Sequence, residues 1–255
     1  MTRISHEANH LRVVLDRPDR RNTIDEDLLQ ELDCALTEAE SDPNCRVFVL
    51  SAIGDYFCAG MAVDASYLDG AATESTPGGD VADDGTELPY WRLLSRFTTT
   101  GLLTVALVDG EVTAGGVGLV AACDMVLAGE RAGFRLTEAL FGMLPAMALP
   151  FIVRRTGQQR AFTSALLTQR YGAADAATIG LVDRLGPSAD SLLRPLLVGS
   201  RRVDRATVLA IKGYRHQLYP VPEHLGSLAS SAFRERIATA GVLSSMARLK
   251  SELGD

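Results

Sequence analysis

An α/β fold is predicted from three features of the chain. Short apolar runs of strand length alternate with amphipathic helical stretches through the first half. From Gly157 onward only helical periodicity remains. Two of the strand-like runs lead into small-residue turns, FCAGM at 57–61 and AGG at 114–116.

Residues 12–16 and 46–52 read as strands, being rich in Val, Leu and Phe. Between them, residues 24–41 place Leu28, Leu29, Leu32, Ala35, Leu36 and Ala39 on one stripe, the period of an amphipathic helix. Thr23 with Glu26 three residues later reads as a capping box, and Pro43 marks the helix end. Residues 69–88 (DGAATESTPGGDVADDGTEL) lack periodicity and read as a long mobile loop, either a lid ordered on binding or plain disorder. Two more apolar strands follow at 103–108 and 125–128, separated by a helical stretch at 117–123. The chain then reads as helices at 158–168, 173–180, 205–218 and 222–249.

A chain of 255 residues that is 47% hydrophobic can bury a substantial core in one large domain. The four cysteines (Cys34, Cys45, Cys58, Cys123) show no metal-ligand spacing and read as reduced packing residues of a cytosolic protein. His6, His10, His216 and His224 form no cluster with Asp or Cys, so no metal site is predicted. No leader and no long apolar run is visible, which points away from secretion and from a membrane span. A net charge of −7 argues against nucleic acid as a main partner. No G-x-S-x-G elbow, Walker loop or dinucleotide fingerprint occurs.

The two small-residue turns carry the chemical signal. Gly115 and Gly116 lie between an apolar run and a helical stretch, where the first helical N–H groups lack intrahelical acceptors. Such donors, backed by the helix dipole, suit an oxygen that gains negative charge. Ala59-Gly60-Met61 is a second turn of the same kind, so two donors can serve one carbonyl oxygen. Glu138, flanked by apolar residues in RLTEALF, is the candidate acid or base. Read alone, a Glu near a helix start is more often a solvated charge.

In order along the chain stand Arg17-Pro18 with Asn22, FCAGM at 57–61, AGG at 114–116, CDMVLAGERAGF at 123–134, TEALFGMLP at 137–145 and AADAATIGLVDRL at 173–185. This series resembles the crotonase (enoyl-CoA hydratase/isomerase) family over residues 13–185. The resemblance implies a spiral of ββα repeats over residues 1–186 and a C-terminal helical trimerisation and lid region over 187–255. It implies that the main-chain N–H groups of Met61 and Gly115 hold a thioester oxygen, with Glu138 handling the proton. Ala59, Gly60, Val63, Asp64, Tyr90 and Arg92 would contact the pantetheine-borne substrate, with no permanently bound cofactor.

One departure narrows the activity. The first of the two glutamates of ordinary enoyl hydratases would fall at Gly118, so a two-carboxylate grip on water is not expected. Glu111 and Asp64 are the nearby candidates for a second acid. The 17–24 region, residues 108–124, residues 88–94 and FRLTEALFGMLPAMALPFIVRRTGQQRA resemble the crotonase-like dehydratases of polyketide β-branching cassettes. That likeness implies dehydration of 3-hydroxy-3-methylglutaryl on an acyl carrier protein to 3-methylglutaconyl. A CoA-linked hydratase, isomerase or decarboxylase of the same fold is the alternative; a non-catalytic acyl-binding scaffold is the alternative of another class. Arg92 or Arg96, or else Lys212 and Tyr214, would meet the distal carboxylate. Arg17, Arg20 and Arg21, or Arg154, Arg155 and Arg160, would dock an acidic carrier protein. A homotrimer or a dimer of trimers is expected.

Overall fold

The computed structural model describes residues 2–7, 9–62, 87–220, 222 and 224–238. Val63, Asp64 and all of the expected loop except Glu87 and Leu88 therefore lie outside the described residues.

Three ββα units open the chain. The first is β1 (Thr2–Glu7), β2 (His10–Leu15) and α1 (Glu26–Ser41). The second is β3 (Val47–Ala52), β4 (Tyr56–Cys58) and α2 (Pro89–Thr99). The third is β5 (Leu103–Val108), β6 (Glu111–Thr113) and α3 (Gly115–Ala122). β7 (Met125–Gly129) and β8 (Gly133–Arg135) begin a fourth turn, which continues through a 3-10 turn at Glu138–Phe141 to α4 (Leu149–Thr156). Then come α5 (Gln158–Leu167), β9 (Tyr171–Gly172), α6 (Ala173–Thr178), β10 (Arg184–Gly186), α7 (Ala189–Ser200), α8 (Arg205–Leu218) and α9 (Leu225–Ala238).

The strands sort into two sheets, a large one in the order β1-β2-β3-β5-β7-β10 and a small one in the order β4-β6-β8-β9. In the large sheet only β1 is antiparallel to its neighbour. β3 is buried on both faces, as expected of a central parallel strand read as a continuous apolar run. Phe48 and Leu50 pack with the stripe of α1 and with α2 and α3, whereas Val47 and Val49 pack with Leu193 and Leu196 of α7. The α1 stripe is buried as its periodicity predicts.

The start of α1 differs from the expected capping box. Asp25 is the N-cap and accepts from the Leu28 N–H at 2.9 Å. Ile24 cannot enter the helix, because its N–H donates to the Gly60 carbonyl and its own carbonyl accepts from Ala62. Arg17 holds Asp25 with a two-pronged ion pair, and its guanidinium also reaches the Thr23 carbonyl. The cap is therefore placed by a tertiary contact, not by the local S/T-x-x-E pattern. Helix α3 begins two residues before the expected helical stretch, which puts Gly115 at its first position. Among the described residues no helix is long and apolar enough to cross a membrane.

Candidate active site

The second strand of each repeat builds the floor of the site. In the small sheet Tyr56 is in register with Glu111, Glu111 with Gly133, and Thr113 with Arg135. Partners in register share a face, and successive residues alternate between faces. Phe57, Val112 and Phe134 point into the core and are buried. Tyr56, Glu111, Thr113 and Arg135 line a cavity of about 630 Å³ on the other side.

Residues 21–24 brace the first turn. The Ala59 N–H donates to the Arg21 carbonyl at 3.0 Å, Ile24 to Gly60 at 2.8 Å, and Ala62 to Ile24 at 2.7 Å. This parallel bridge uses the groups on either side of Met61 and so turns the Met61 N–H away from the brace, towards the cavity. Asn22 locks the brace from behind. Its buried side chain accepts from the Arg17 N–H at 2.8 Å and donates to the carbonyls of Tyr56 and Ile53 at 2.8 and 3.0 Å.

The second turn is bent at Ala114, whose φ of 48° is rare for an L-residue and costs on the order of 1–3 kcal/mol. The bend is held by the Ala114 N–H donating to the Arg135 carbonyl at 2.9 Å. It presents the Gly115 N–H at the first position of α3, where no intrahelical acceptor exists. The turns meet closely. A Cβ on Gly60, whose φ is +91°, would lie 2.7 Å from Ala114 Cβ and 3.1 Å from Gly115 N. A Cβ on Gly115 would lie 3.6 Å from Met61 N. The Met61 and Gly115 amides thus border one spot, and neither has an acceptor among the described residues. Together they can polarise one carbonyl oxygen.

Glu138 faces the same cavity from the start of the 3-10 turn. Its Oε2 is buried without a hydrogen-bond partner among the described residues. Burial pushes its pKa up to about 7, against the opposing pull of the main-chain N–H groups of Glu138 and Thr137. A carboxyl group poised there can both take and return a proton near neutral pH.

Gly118 is fixed by its neighbours. A Cβ at this position would lie 2.4 Å from the Tyr90 hydroxyl and 2.6 Å from Ala148 Cβ. The place of a second glutamate is filled by a phenol and a methyl group. Tyr90 is buried and donates to the Gly115 carbonyl, pinning the first turn of α3 beside the two amides. Burial raises the Tyr90 pKa well above its ordinary value, so the phenol stays protonated.

The structure thus brings together Ala59, Gly60, Met61, Tyr90, Gly115 and Glu138. It does not bring Arg92 to them: α2 turns Tyr90, Trp91, Leu93 and Leu94 inward and leaves Arg92 exposed, away from the cavity lining. Arg96 is held by Asp33 and Glu40 of α1. Lys212 is buried against Asp124 at 2.6 Å and Tyr214 is exposed, neither of them at this cavity. Of the expected docking arginines, Arg17 is committed to Asp25, Arg154 to the carbonyls at the end of α3, and Arg155 to Asp183. Glu111 does line the cavity, with its carboxylate gripped by Arg170. Sequence reasoning missed Arg135, Arg170 and the apolar wall of Leu140, Phe141 and Leu144. Period-two alternation in GFR could have signalled Arg135, but three residues are too few to show it. Phe233 of α9 adds to the wall. Among the described residues no cluster of His, Cys, Asp and Glu is arranged to hold a metal.

Comparison with known proteins gives the family of the chain. The family model for enoyl-CoA hydratase/isomerase matches residues 6–217, and the chain belongs to that family. It is 31% identical over 216 residues to the bacillaene synthase dehydratase PksH of Bacillus subtilis, covering 85% of this chain and 80% of that protein. It is 30% identical over 197 residues to the enoyl-CoA hydratase EchA19 of Mycobacterium tuberculosis, covering 76% and 71%. Among solved structures it superposes on a polyketide-biosynthesis enoyl-CoA hydratase (PksH) from Bacillus subtilis with a TM-score of 0.85 at 27% identity, covering 98% and 97% of the two chains. An enoyl-CoA hydratase from Mycobacterium avium gives 0.84 at 25% identity, covering 98% and 96%.

Proposed function

We propose that this member of the enoyl-CoA hydratase/isomerase family is a dehydratase of β-hydroxy acyl thioesters. Its substrate is 3-hydroxy-3-methylglutaryl on the phosphopantetheine arm of an acyl carrier protein, and its product is 3-methylglutaconyl. The likeness to a bacillaene synthase dehydratase supports the polyketide setting. The observation that carries the reading is the carboxyl of Glu138, its Oε2 buried without a hydrogen-bond partner among the described residues and poised near pH 7 in the cavity that the Met61 and Gly115 amides share.

The reaction follows from those groups. The two amide N–H groups donate to the thioester carbonyl oxygen and stabilise the charge it gains as C2 is deprotonated. Glu138, ionised at the outset, takes the C2 proton. The enolate reforms the carbonyl as the C3–oxygen bond breaks, and the same carboxyl returns its proton to the departing hydroxyl as water. One carboxyl suffices because the proton that is removed is the one the leaving group needs. A water molecule held between two carboxylates, as hydration would use, has no second anchor at Gly118. The turns are already braced by hydrogen bonds from residues 21–24 and Arg135, so little reorganisation is needed at the moment of reaction.

Intact-mass measurement on a carrier protein loaded with 3-hydroxy-3-methylglutaryl tests the reading. The wild-type protein is expected to remove one water. Glu138→Gln is expected to slow that loss by about 10²–10⁴ while keeping its fold. No water loss from this substrate, with carbon dioxide released when the carrier is loaded with 3-methylglutaconyl, would mark a decarboxylase instead.

A further inference from the structure

We infer that Arg135 is the receptor for a carboxylate at the far end of the acyl chain, making the site specific for dicarboxylic acyl thioesters. This inference rests on the thioester reading above and names the substrate class of that same site. The cavity has two unlike halves. Leu140, Phe141, Met143, Leu144 and Met147 make one half apolar, and the floor of the small sheet makes the other polar, with Arg21, Arg135 and Arg170 in its lining. In a chain of net charge −7, these three arginines outnumber the two carboxyl groups of the lining, Glu111 and Glu138.

The three arginines are not equivalent. Arg170 is matched by Glu111, its Nε donating to Oε2 at 3.0 Å, and Gly133 leaves room for the pair to lie over the sheet. Arg21 is stacked over the Tyr56 ring, 5.4 Å from its centroid. Arg135 is different. Its Nε donates to the Thr168 carbonyl at 2.7 Å, which fixes the guanidinium, while neither Nη has an acceptor among the described residues. A planar cation held by one nitrogen and open at the other two is arranged to take a carboxylate.

Its position selects which anion it meets. Arg135 is in register with Thr113, one residue before the Ala114 bend, and its carbonyl holds the bend through the Ala114 N–H. An anion within its reach lies a few bonds from the thioester carbon bound at Gly115. The distal carboxylate of a glutaryl chain meets that requirement. The phosphodiester of a pantetheine arm is separated from the thioester by the whole length of the arm. The groups first expected to bind this carboxylate are unavailable, since Arg92 is away from the cavity, Arg96 is paired on α1, and Lys212 is buried against Asp124.

The test compares two substrates on the same carrier protein: 3-hydroxy-3-methylglutaryl and its distal primary amide, which has the same shape without the charge. Water loss is followed by mass for the wild-type protein, Arg135→Gln and Arg135→Lys. The wild type is expected to prefer the carboxylate, and Arg135→Gln to shrink that preference in kcat/KM by roughly 10–100-fold. Arg135→Lys is expected to fall between them, keeping the charge but losing the planar fork. Because the readout is a ratio of two substrates, a general loss of folded protein cancels. An unchanged ratio in Arg135→Gln, including an equal loss on both substrates as for a phosphate contact, overturns the role of Arg135 and leaves the dehydratase reading standing. Failure of the wild type to remove water from either substrate overturns both.

Discussion

At the residue scale, two positions define the chemistry, Glu138 by what it carries and Gly118 by what it lacks. The sequence placed both, but it could not say why Gly118 is glycine. The reason is the Tyr90 hydroxyl from α2 and Ala148 from the loop before α4, which crowd the space a side chain would take. Neither is near Gly118 in sequence, so only the fold reveals them. Glu138 also carries a signature in stability. Its folded pKa of about 7 lies above the ordinary 4.5, so folding favours the protonated form. That contribution is fully present below the unfolded pKa and is lost as pH rises through the folded one. Glu138→Gln is neutral throughout, and its stability relative to the wild type is therefore expected to rise across that window and level off above it. At 1.36 kcal/mol per pKa unit the gain is about 3 kcal/mol. Urea unfolding of both proteins at about pH 5 and about pH 8 checks this; a difference that does not grow with pH would show that Glu138 is solvated.

At the element scale, the site is made by the second, shorter strand of each repeat and the turn that follows it. These strands are where the sequence was least legible. The long strands β3, β5 and β7 and helix α1 announced themselves by continuous or periodic apolar runs. β4, β6 and β8 have three residues each, and β9 has two, so alternation has no length in which to show. The Arg17-Pro18 and Asn22 motif was noticed, but its work was visible only in three dimensions, where Asn22 ties the end of β3 and the start of β4 to the brace of the first turn. Asn22→Ala leaves those buried carbonyls and the Arg17 N–H without their partner. A loss of about 1–3 kcal/mol is expected, with a fall in kcat as the Met61 amide loosens. Chemical denaturation and steady-state kinetics on this variant test the point; an unchanged kcat would show that the brace does not position the turn.

At the scale of the whole molecule, the two sheets divide the labour. The large sheet and the helices on both its faces supply the buried core, while the small sheet turns one polar face to the cavity. Strain is placed where the rigid body can hold it, at Ala114, between β6 and α3. Proton removal from C2 by Glu138, against a carbonyl held by two main-chain amides, is the step on which the rest depends. It can be seen alone with a 3-methylglutaryl thioester, which lacks the hydroxyl and so enolises without losing water. In deuterium oxide the wild-type protein is expected to exchange a C2 hydrogen for deuterium, with Glu138→Gln slower by about 10²–10⁴. Exchange by Glu138→Gln at the wild-type rate would contradict the role of Glu138 as the base.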